Sequence, residues 1–414
     1  MEPPDFDFIS SRFVNRPSGD VKVLRMLLRF FAFLLISTPV LALTADELQT
    51  FIDEASKSEK GSEVVIPPGR HVLEHSLVIQ KVKKLRIVGL DVETTILQLP
   101  PLAFAEVAET AQAGDQLIRV KRHQSFKPGM HLHIEADGAV DSFTKKPKPY
   151  HLATVARLEG NTIHLVKPLD FPAPAGTLIR DPDAPNIFEI RGAVEDVQIS
   201  KLTLDGGRVE GDPPVRGHVQ LCGIFAQGPY SYEKGPTGPL IKGLHIERCF
   251  IQNCHGRGIA LYACEDALIE NCTIRDTTDE AIDFDHFTTG SIARHNHIAR
   301  SLVGVEMNDA IGCTVEQNDF LACQTGINLW RWCKQLGLNE KNVIRGNLFD
   351  QTRGNAIQIA SGTAQNSLLD NEITASGKNG LTLNGEGQIV KGNRISGSGL
   401  KDIAVAAGNH EIVP

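Results

Sequence analysis

The sequence predicts an all-β solenoid, and the prediction depends on two observations about the C-terminal half. An apolar anchor recurs every 22 to 29 residues, at Ile251, Ile274, Ile298, Phe320, Phe349, Ile373 and Ile395. Within each repeat, apolar residues alternate with polar ones, which is typical of a short β-strand. Such strands cannot bury a face alone, so the repeats are expected to stack as coils around one shared core.

Stacking places like residues on like residues at two turn positions of the repeat. The first position is filled by Cys249, Cys272, Asn296, Asn318, Asn347, Asn371 and Asn393. The second is filled by Cys254, Thr277, Ser301, Cys323, Thr352, Ser376 and Ser398. The first series predicts an internal amide ladder, and both give several of the eight cysteines a structural role as small buried side chains. Disulfides are the alternative, and Cys249 and Cys272 on adjacent coils are the pair best spaced for one.

This repeat closely resembles that of right-handed parallel β-helix proteins of the pectate lyase-like (pectin lyase-like) superfamily, over about residues 187–410. Residues 64–97 are similar to the first coils of such proteins, with an I-P-x-G step at Ile66–Gly69 and a V-G turn at Val88–Gly89. The resemblance implies a right-handed parallel β-helix for this chain, with its strands in parallel sheets.

Four segments follow from this interpretation: a leader and signal peptide at 1–42, a cap helix and first coils at 43–100, an inserted small β module at 101–182, and the main β-helix at 183–414. Thr44 and Glu47 form a capping box. Leu48, Phe51, Ile52 and Ala55 then give an amphipathic helix, which is expected to cover the open N-terminal end of the coil stack.

The leader contains the apolar run FFAFLLISTPVLA at 30–42, preceded by Arg25 and Arg29. The run has the layout of a secretory signal cleaved after Ala42, with Met26 as the expected start of translation. We therefore expect export to the periplasm or the medium, with no membrane attachment after cleavage. An uncleaved signal anchor is the alternative. The net charge is −8 and no long basic run occurs, which argues against a nucleic-acid partner.

The strand after each Gly-Ile or Ala-Ile step carries the candidate site. Alternation directs Ile282 and Phe284 into the coil and their neighbours outward. In the middle coils the outward residues are mostly acids and amides, and we expect them on one exposed sheet face. The candidate catalytic residues are Asp283, Asp285, His286, Glu306 and Arg331. The candidate substrate-binding residues are Asn308, Asn328, Trp330, Gln358, Tyr262 and Tyr230.

These residue types suit chemistry on a sugar. Glycoside hydrolysis needs two carboxyl groups across the scissile bond, which Asp283 and Glu306 on adjacent coils can supply. Elimination or C5 epimerisation of a uronate needs a base, for which His286 and Arg331 are candidates, and a cation on the carboxylate. Asp283, Asp285 and Glu306 are a candidate Ca²⁺ ligand set for that purpose. Aromatic rings such as that of Trp330 pack on the C–H face of a sugar.

The stretch Asp283-Phe284-Asp285-His286 resembles the Asp-Pro-His-Asp motif of mannuronan C5-epimerases, but it lacks the proline and orders His and Asp differently. We therefore assign none of that family's catalytic roles. The predicted function is an exported carbohydrate-active protein that cleaves or epimerises a polysaccharide or oligosaccharide, as a lyase, epimerase or glycoside hydrolase.

One other function remains open from the sequence. It is a non-catalytic β-helix that binds glycans or serves as a surface scaffold, including a NosD-like periplasmic role. In that case the acids form a solvated or Ca²⁺-stabilised face, His286 closes a turn, and Trp330 packs under the long loop that follows it. The oligomeric state does not follow from the sequence.

Overall fold

The structure is a computed structural model that describes residues 42–58, 60–135, 150–212, 220–335 and 337–413. Residues 1–41 of the predicted leader lie outside this range. Within the described residues, one α-helix precedes a long series of strands. No helix in this part of the chain has the length and apolar character needed to cross a bilayer.

Helix α1 spans Ala45–Ser56 and is followed by the strands of the first coils. These are β1 (Ser62–Ile66), β2 (Gly69–Val72), β3 (Leu77–Gly89) and β4 (Thr95–Gln98). The inserted module contains β5 (Phe104–Val107), β6 (Leu117–Gln124), β7 (His131–Glu135), β8 (Tyr150–Glu159), β9 (Thr162–Leu165) and β10 (Leu178–Arg180).

The remaining strands build the main β-helix. The first group is β11 (Phe188–Ser200), β12 (Thr203–Asp205), β13 (Ile224–Gln227), β14 (Tyr230–Ser231), β15 (Gly235–Pro236), β16 (Ile241–Lys242), β17 (His245–Glu247), β18 (Phe250–Gln252), β19 (Ile259–Tyr262), β20 (Cys264–Glu265), β21 (Leu268–Glu270), β22 (Thr273–Arg275) and β23 (Glu280–Asp285). The second group is β24 (Ile292–Arg294), β25 (His297–Ala299), β26 (Val303–Asn308), β27 (Thr314–Glu316), β28 (Asp319–Leu321), β29 (Thr325–Trp330), β30 (Val343–Arg345), β31 (Leu348–Asp350), β32 (Ile357–Ile359), β33 (Ser367–Leu369), β34 (Glu372–Thr374), β35 (Leu381–Leu383), β36 (Ile389–Lys391), β37 (Arg394–Ser396), β38 (Ile403–Val405) and β39 (Glu411–Val413).

These strands form three parallel ladders, as expected for a right-handed parallel β-helix. One ladder, here called the site sheet, runs through the starts of β3 and β11 and then β13, β19, β23, β26, β29, β32, β35 and β38. The second runs from β1 through β17, β21 and β24 to β39. The third runs from β2 through β18, β22 and β25 to β37.

The core of the β-helix is the continuous stack that the repeat predicts. Six of the seven anchors are buried, and Ile395 in the last complete coil is partly buried against the same cluster. The rings of Phe320 and Phe349 stack with centroids 4.6 Å apart and planes 5° from parallel. Because every coil contributes at the same register position, the anchors form one apolar row along the axis.

The predicted amide ladder is confirmed. Asn318 Nδ2 donates to Asn347 Oδ1 at 3.0 Å, while Asn318 Oδ1 accepts from Asn296 Nδ2 at 3.0 Å. A second ladder of this kind joins Asn342 Nδ2 to Asn366 Oδ1 at 3.0 Å, and the sequence analysis did not detect it. All eight cysteines lie in the described part of the chain as buried free thiols, including Cys249 and Cys272.

Replacing Asn318 by alanine is expected to lower the free energy of unfolding by about 3 kcal/mol. Asn318 is fully buried, and the loss of its Oδ1 leaves the backbone N–H and the Nδ2 donor of Asn296 without an acceptor, at about 1–3 kcal/mol for each buried group. Urea denaturation measures the change. The exposed Asn409→Ala is the control and is expected to stay within about 0.5 kcal/mol of the wild type. Equal changes in the free energy of unfolding for the two variants would contradict a stabilising role of the amide ladder.

Helix α1 begins with the predicted capping box, in which Thr44 and Glu47 exchange hydrogen bonds. It buries Ala45, Leu48 and Ile52 against the first coil. Phe51 was expected on the same apolar face, but 42% of it is exposed. Only a narrow strip of the helix surface packs against the coil, and Phe51 lies beside that strip.

The inserted module is a closed six-stranded antiparallel barrel in the order β10-β5-β6-β9-β8-β7. It has its own apolar core, centred on Ile118, Leu132, Ile134 and Ile163, which is separate from the core of the β-helix. A cavity of about 330 Å³ lies against the barrel, lined by Phe104, Glu106, Lys121 and Arg122 among others. That cavity contains none of the predicted site residues.

Candidate active site

Strands β19, β23, β26 and β29 place the candidate residues in register on the outer side of the site sheet. Asp283 lies opposite Glu306 on the next strand, and Glu306 lies opposite Asn328. Tyr262 lies opposite Asp285, and Asn308 lies opposite Trp330. Neighbouring parallel strands are about 4.8 Å apart, so two rows of polar and aromatic side chains run side by side along the β-helix.

The expectation that these side chains lie on an exposed face is wrong. Asp283 is 0% exposed, Asp285 4%, Asn308 3% and Glu306 7%. The residues do point away from the apolar core, but neighbouring side chains enclose them, with Arg257 against Asp283 and Asn328 against Glu306. A hairpin and a loop cover the part of the site that holds Tyr262 and His286. The repeat pattern reports which side of a strand a residue occupies, and it carries no information about which distant segment lies over that side.

Two segments form the cover. The β14–β15 hairpin carries Tyr230, whose ring stacks on that of Tyr262 with centroids 6.1 Å apart. The loop after β29 carries Gln335, whose Nε2 donates to the Tyr232 carbonyl oxygen of the hairpin at 2.7 Å. The hairpin and the loop are therefore joined directly above the site.

A buried arginine that the sequence analysis did not select enters the site from the preceding coil. Arg257 Nε lies 2.6 Å from Glu280 Oε2 and 2.9 Å from Asp283 Oδ2. The Arg257 side chain is only 14% exposed. We call Glu280, Asp283, Asp285 and Glu306 the carboxyl cluster. One signal was available in the sequence, because Arg257 and Glu280 stand at the same repeat position on adjacent coils.

Burial raises the pKa of Asp283, Asp285 and Glu306. Burial raises the pKa of Asp283 well above its usual range, and nearby Asp285 adds to the rise while Arg257 opposes it. Burial likewise raises the pKa of Asp285, against the effect of His286. For Glu306, burial and then Glu280 raise the pKa to about 8, although Asn328 Nδ2 donates to Glu306 Oε2 at 2.8 Å. At neutral pH the site therefore holds a protonated carboxyl group.

His286 is held by a second acid at the end of the same strands. Its Nδ1 lies 2.7 Å from Asp309 Oδ2. Asp309 also accepts from the backbone nitrogen of Trp332 at 2.8 Å and that of Cys333 at 3.1 Å. Burial alone would raise the pKa of Asp309, but the hydrogen bonds from His286 and Cys333 outweigh it and lower the pKa.

The backbone of Asp309 has a φ of 57°, in the left-handed region that a non-glycine residue rarely adopts. His286 Nδ1 is thus engaged by a carboxylate fixed in its place. The imidazole also packs edge-on against Tyr232, with ring centroids 5.0 Å apart. The arrangement is that of a base oriented by an acid, with Nε2 remaining for a ligand.

Other predicted residues lie at the edge of the site. Trp330 is half-buried and packs edge-on against Trp332, with centroids 5.5 Å apart. Gln358 is half-buried and accepts from Asn355 Nδ2 at 2.8 Å. In the described part of the chain no ion pair joins Arg331 to the carboxyl cluster. Its Nε lies against Gly362, 3.2 Å from the position that a Cβ there would occupy.

The predicted calcium ligands do not assemble as a group of donors. Two sets of three His, Cys, Asp or Glu side chains in the described residues have ligand atoms within 4.8 Å of one another, and neither is Asp283, Asp285 and Glu306. Arg257 already lies against Asp283. One of the two sets is His286, Asp309 and Cys333, which offers nitrogen and sulfur where Ca²⁺ prefers six to eight oxygens. Calcium binding by Asp283, Asp285 and Glu306 therefore stays a prediction.

Comparisons with known proteins agree with the fold. A family model described as "Right handed beta helix region" matches residues 242–395. A solved glycoside hydrolase superposes with a TM-score of 0.53 at 10% identity, covering 89% of this chain and 92% of that one. A search of curated proteins by sequence finds no match.

Two solved modules from Azotobacter vinelandii are also similar. The mannuronan C-5 epimerase AlgE4 A-module has a TM-score of 0.50 at 15% identity, covering 89% of this chain and 92% of that one. The AlgE6 A-module has a TM-score of 0.50 at 12% identity, covering 89% and 93%. At these identities the likeness concerns the fold. The chain is a right-handed parallel β-helix protein, and these similar solved structures are carbohydrate-active enzymes of the same fold.

Proposed function

We propose that the protein is a carbohydrate-active enzyme that cleaves glycosidic bonds by acid–base catalysis at the carboxyl cluster. The observation that carries the proposal is Glu306, a buried carboxyl group whose pKa of about 8 keeps it protonated at neutral pH, directly across from Asp283 on the next strand. A proton donor paired with a second carboxyl group is what glycoside hydrolysis requires.

The reaction divides between these two groups. Glu306 donates its proton to the glycosidic oxygen as the bond from that oxygen to the anomeric carbon breaks. Asp283 acts in its ionised form and takes a proton from the attacking water; Arg257, 2.9 Å away, favours that form against the rise in pKa that burial and Asp285 cause. One water adds across the bond, giving a new reducing end and a new hydroxyl group, and proton exchange with solvent restores both carboxyl groups.

A second candidate reaction uses the His286–Asp309 pair. With Nδ1 engaged by Asp309 at 2.7 Å, Nε2 can take the proton from C5 of a uronate, which leads to elimination or epimerisation. This chemistry also needs a positive group on the substrate carboxylate.

The test is an activity panel on the purified protein with neutral, amino and acidic glycans, each with and without added Ca²⁺. New reducing ends report hydrolysis, ultraviolet absorbance reports an unsaturated elimination product, and NMR reports epimerised rings. We expect reducing ends without unsaturated product, and their loss in Asp283→Asn. Binding without any turnover would replace the proposal with the non-catalytic glycan-binding role, and neither binding nor turnover would reject it.

We further propose that the enzyme is exported. The support is the apolar run at 30–42 with Arg25 and Arg29 before it. N-terminal sequencing of the protein isolated from its own cells should find a mature chain that begins at Leu43, and an intact leader would contradict cleavage.

A further inference from the structure

The site presents hydrogen-bond acceptors that have no donor. Asn308 Oδ1 is buried with no hydrogen-bond partner, and the Asn308 side chain is only 3% exposed. Asn328 Oδ1 and Asp283 Oδ1 are likewise buried without a partner. All three residues point outward from adjacent strands of the site sheet. Buried acceptors left unpaired are unfavourable, so this surface fits a ligand that brings donors.

The positive groups of the site are already engaged. Arg257 lies against Glu280 and Asp283. His286 Nδ1 is held by Asp309. Among the described residues, Arg331 makes no ion pair with the carboxyl cluster and lies against Gly362. Arg257 and His286, the positive groups in contact with the buried acids in the described residues, are therefore each already paired with acids of the protein.

A substrate carboxylate would meet acceptor oxygens without a free positive group beside them. It has no proton to donate at neutral pH, so it cannot satisfy Asn308 Oδ1 or Asn328 Oδ1. It would also lose its hydration in a buried pocket, where a charge without a partner is strongly unfavourable. Sugar hydroxyl groups, in contrast, donate hydrogen bonds and carry no charge.

We infer, on the basis of the proposed glycosidase function, that the substrate is an uncharged glycan whose hydroxyl groups donate to Asn308, Asn328 and Asp283, and that the site excludes uronates. The inference selects hydrolysis over the C5 chemistry of the second candidate reaction, since that chemistry acts on a uronate.

The test compares polymers that are matched in linkage and differ in the charge of the sugar. Highly methyl-esterified pectin and the same pectin after de-esterification share linkage and ring, and mannan is assayed beside polymannuronate. Hydrolysis or binding of uncharged members at least about tenfold better than their charged partners supports the inference. Equal or better activity on the charged partners, with or without Ca²⁺, overturns it but leaves a glycan-active enzyme. Failure of every polymer to bind or react rejects the proposed function itself.

A variant pair tests the acceptor directly. Asn308→Ala removes one acceptor and should raise KM for the best uncharged substrate by about tenfold, the effect of one hydrogen bond. Its melting temperature should not fall, because the lost oxygen has no partner in the free protein. Asn384→Ala, on the same sheet toward the C-terminus, is the control and should leave KM unchanged. An unchanged KM in Asn308→Ala overturns the assigned contact.

Discussion

Arg257→Met is expected to lower the free energy of unfolding by about 3–5 kcal/mol at neutral pH. Methionine keeps most of the volume of the arginine stem but removes the guanidinium that lies 2.6 Å from Glu280 and 2.9 Å from Asp283. Both acids are at most 5% exposed, and removing one partner of a buried ion pair leaves an uncompensated charge away from water. Chemical denaturation of both proteins measures the difference.

The matched control is another arginine that pairs across coils but stays in solvent. Arg394 lies 2.6 Å from Glu372, with side-chain exposures of 77% and 44%. Because solvent screens such a pair, Arg394→Met should cost less than about 1 kcal/mol. Acidification should reduce the difference in the free energy of unfolding between Arg257→Met and the wild type, since protonation of the acids removes the charge that Arg257 compensates. If Arg257→Met loses no more unfolding free energy than Arg394→Met, Arg257 does not stabilise the carboxyl cluster.

Glu306→Gln is expected to lower turnover by about 10²–10⁴-fold, the usual contribution of a positioned proton donor. In the wild type, activity should fall as the pH rises through about 8, where Glu306 loses its proton. Glutamine has nearly the same shape but no acidic proton to donate. The decrease in activity above about pH 8 should therefore be absent from the residual activity of the variant. The pH profile of kcat/KM measures both effects.

The same substitution should stabilise the protein at high pH. Because the folded-state pKa of Glu306 is raised to about 8 from its ordinary value of 4.5, the folded chain holds this proton more tightly than the unfolded chain. The stability that this bound proton contributes is thus fully present below about pH 4.5. It is lost as the pH rises toward 8, by up to about 1.4 kcal/mol per pH unit. Glutamine does not titrate, so Glu306→Gln should be more stable than the wild type above pH 8.

Loss of activity together with gain of stability distinguishes a functional carboxyl group from a structural one. The exposed Glu411→Gln on β39 is the control and should change neither quantity. If Glu306→Gln instead lowers stability at every pH while activity follows the folded fraction, the role of Glu306 is structural.

Much of the fold follows from local patterns. The anchor from Ile251 to Ile395 recurs once per coil, and parallel stacking turns this recurrence into a core without further information. The amides from Asn296 to Asn393 follow the same logic, because identical side chains at one register position can donate and accept in series. The capping box at Thr44 needs only four consecutive residues.

The site was predicted in part, for a reason that can be traced to particular residues. Alternation identified Asp283, Asp285 and Glu306 as outward-facing, and register brought Asp283 opposite Glu306. Arg257 was not selected from the sequence, although its repeat position matches that of Glu280. Arg331 was chosen for its place just after β29, but the chain turns there and carries its guanidinium toward Gly362.

The sequence by itself determined the repeat, the inward and outward sides of each strand, and the row of acids along the site sheet. These follow from the two-residue period of a strand and from the length of the coil. Only the tertiary structure decided that the acids are buried, with Arg257 against Asp283 and Asn328 against Glu306. Burial depends on contacts between residues far apart in the chain, and that burial raises the pKa of Glu306 to about 8 and gives it the proton that the proposed reaction uses.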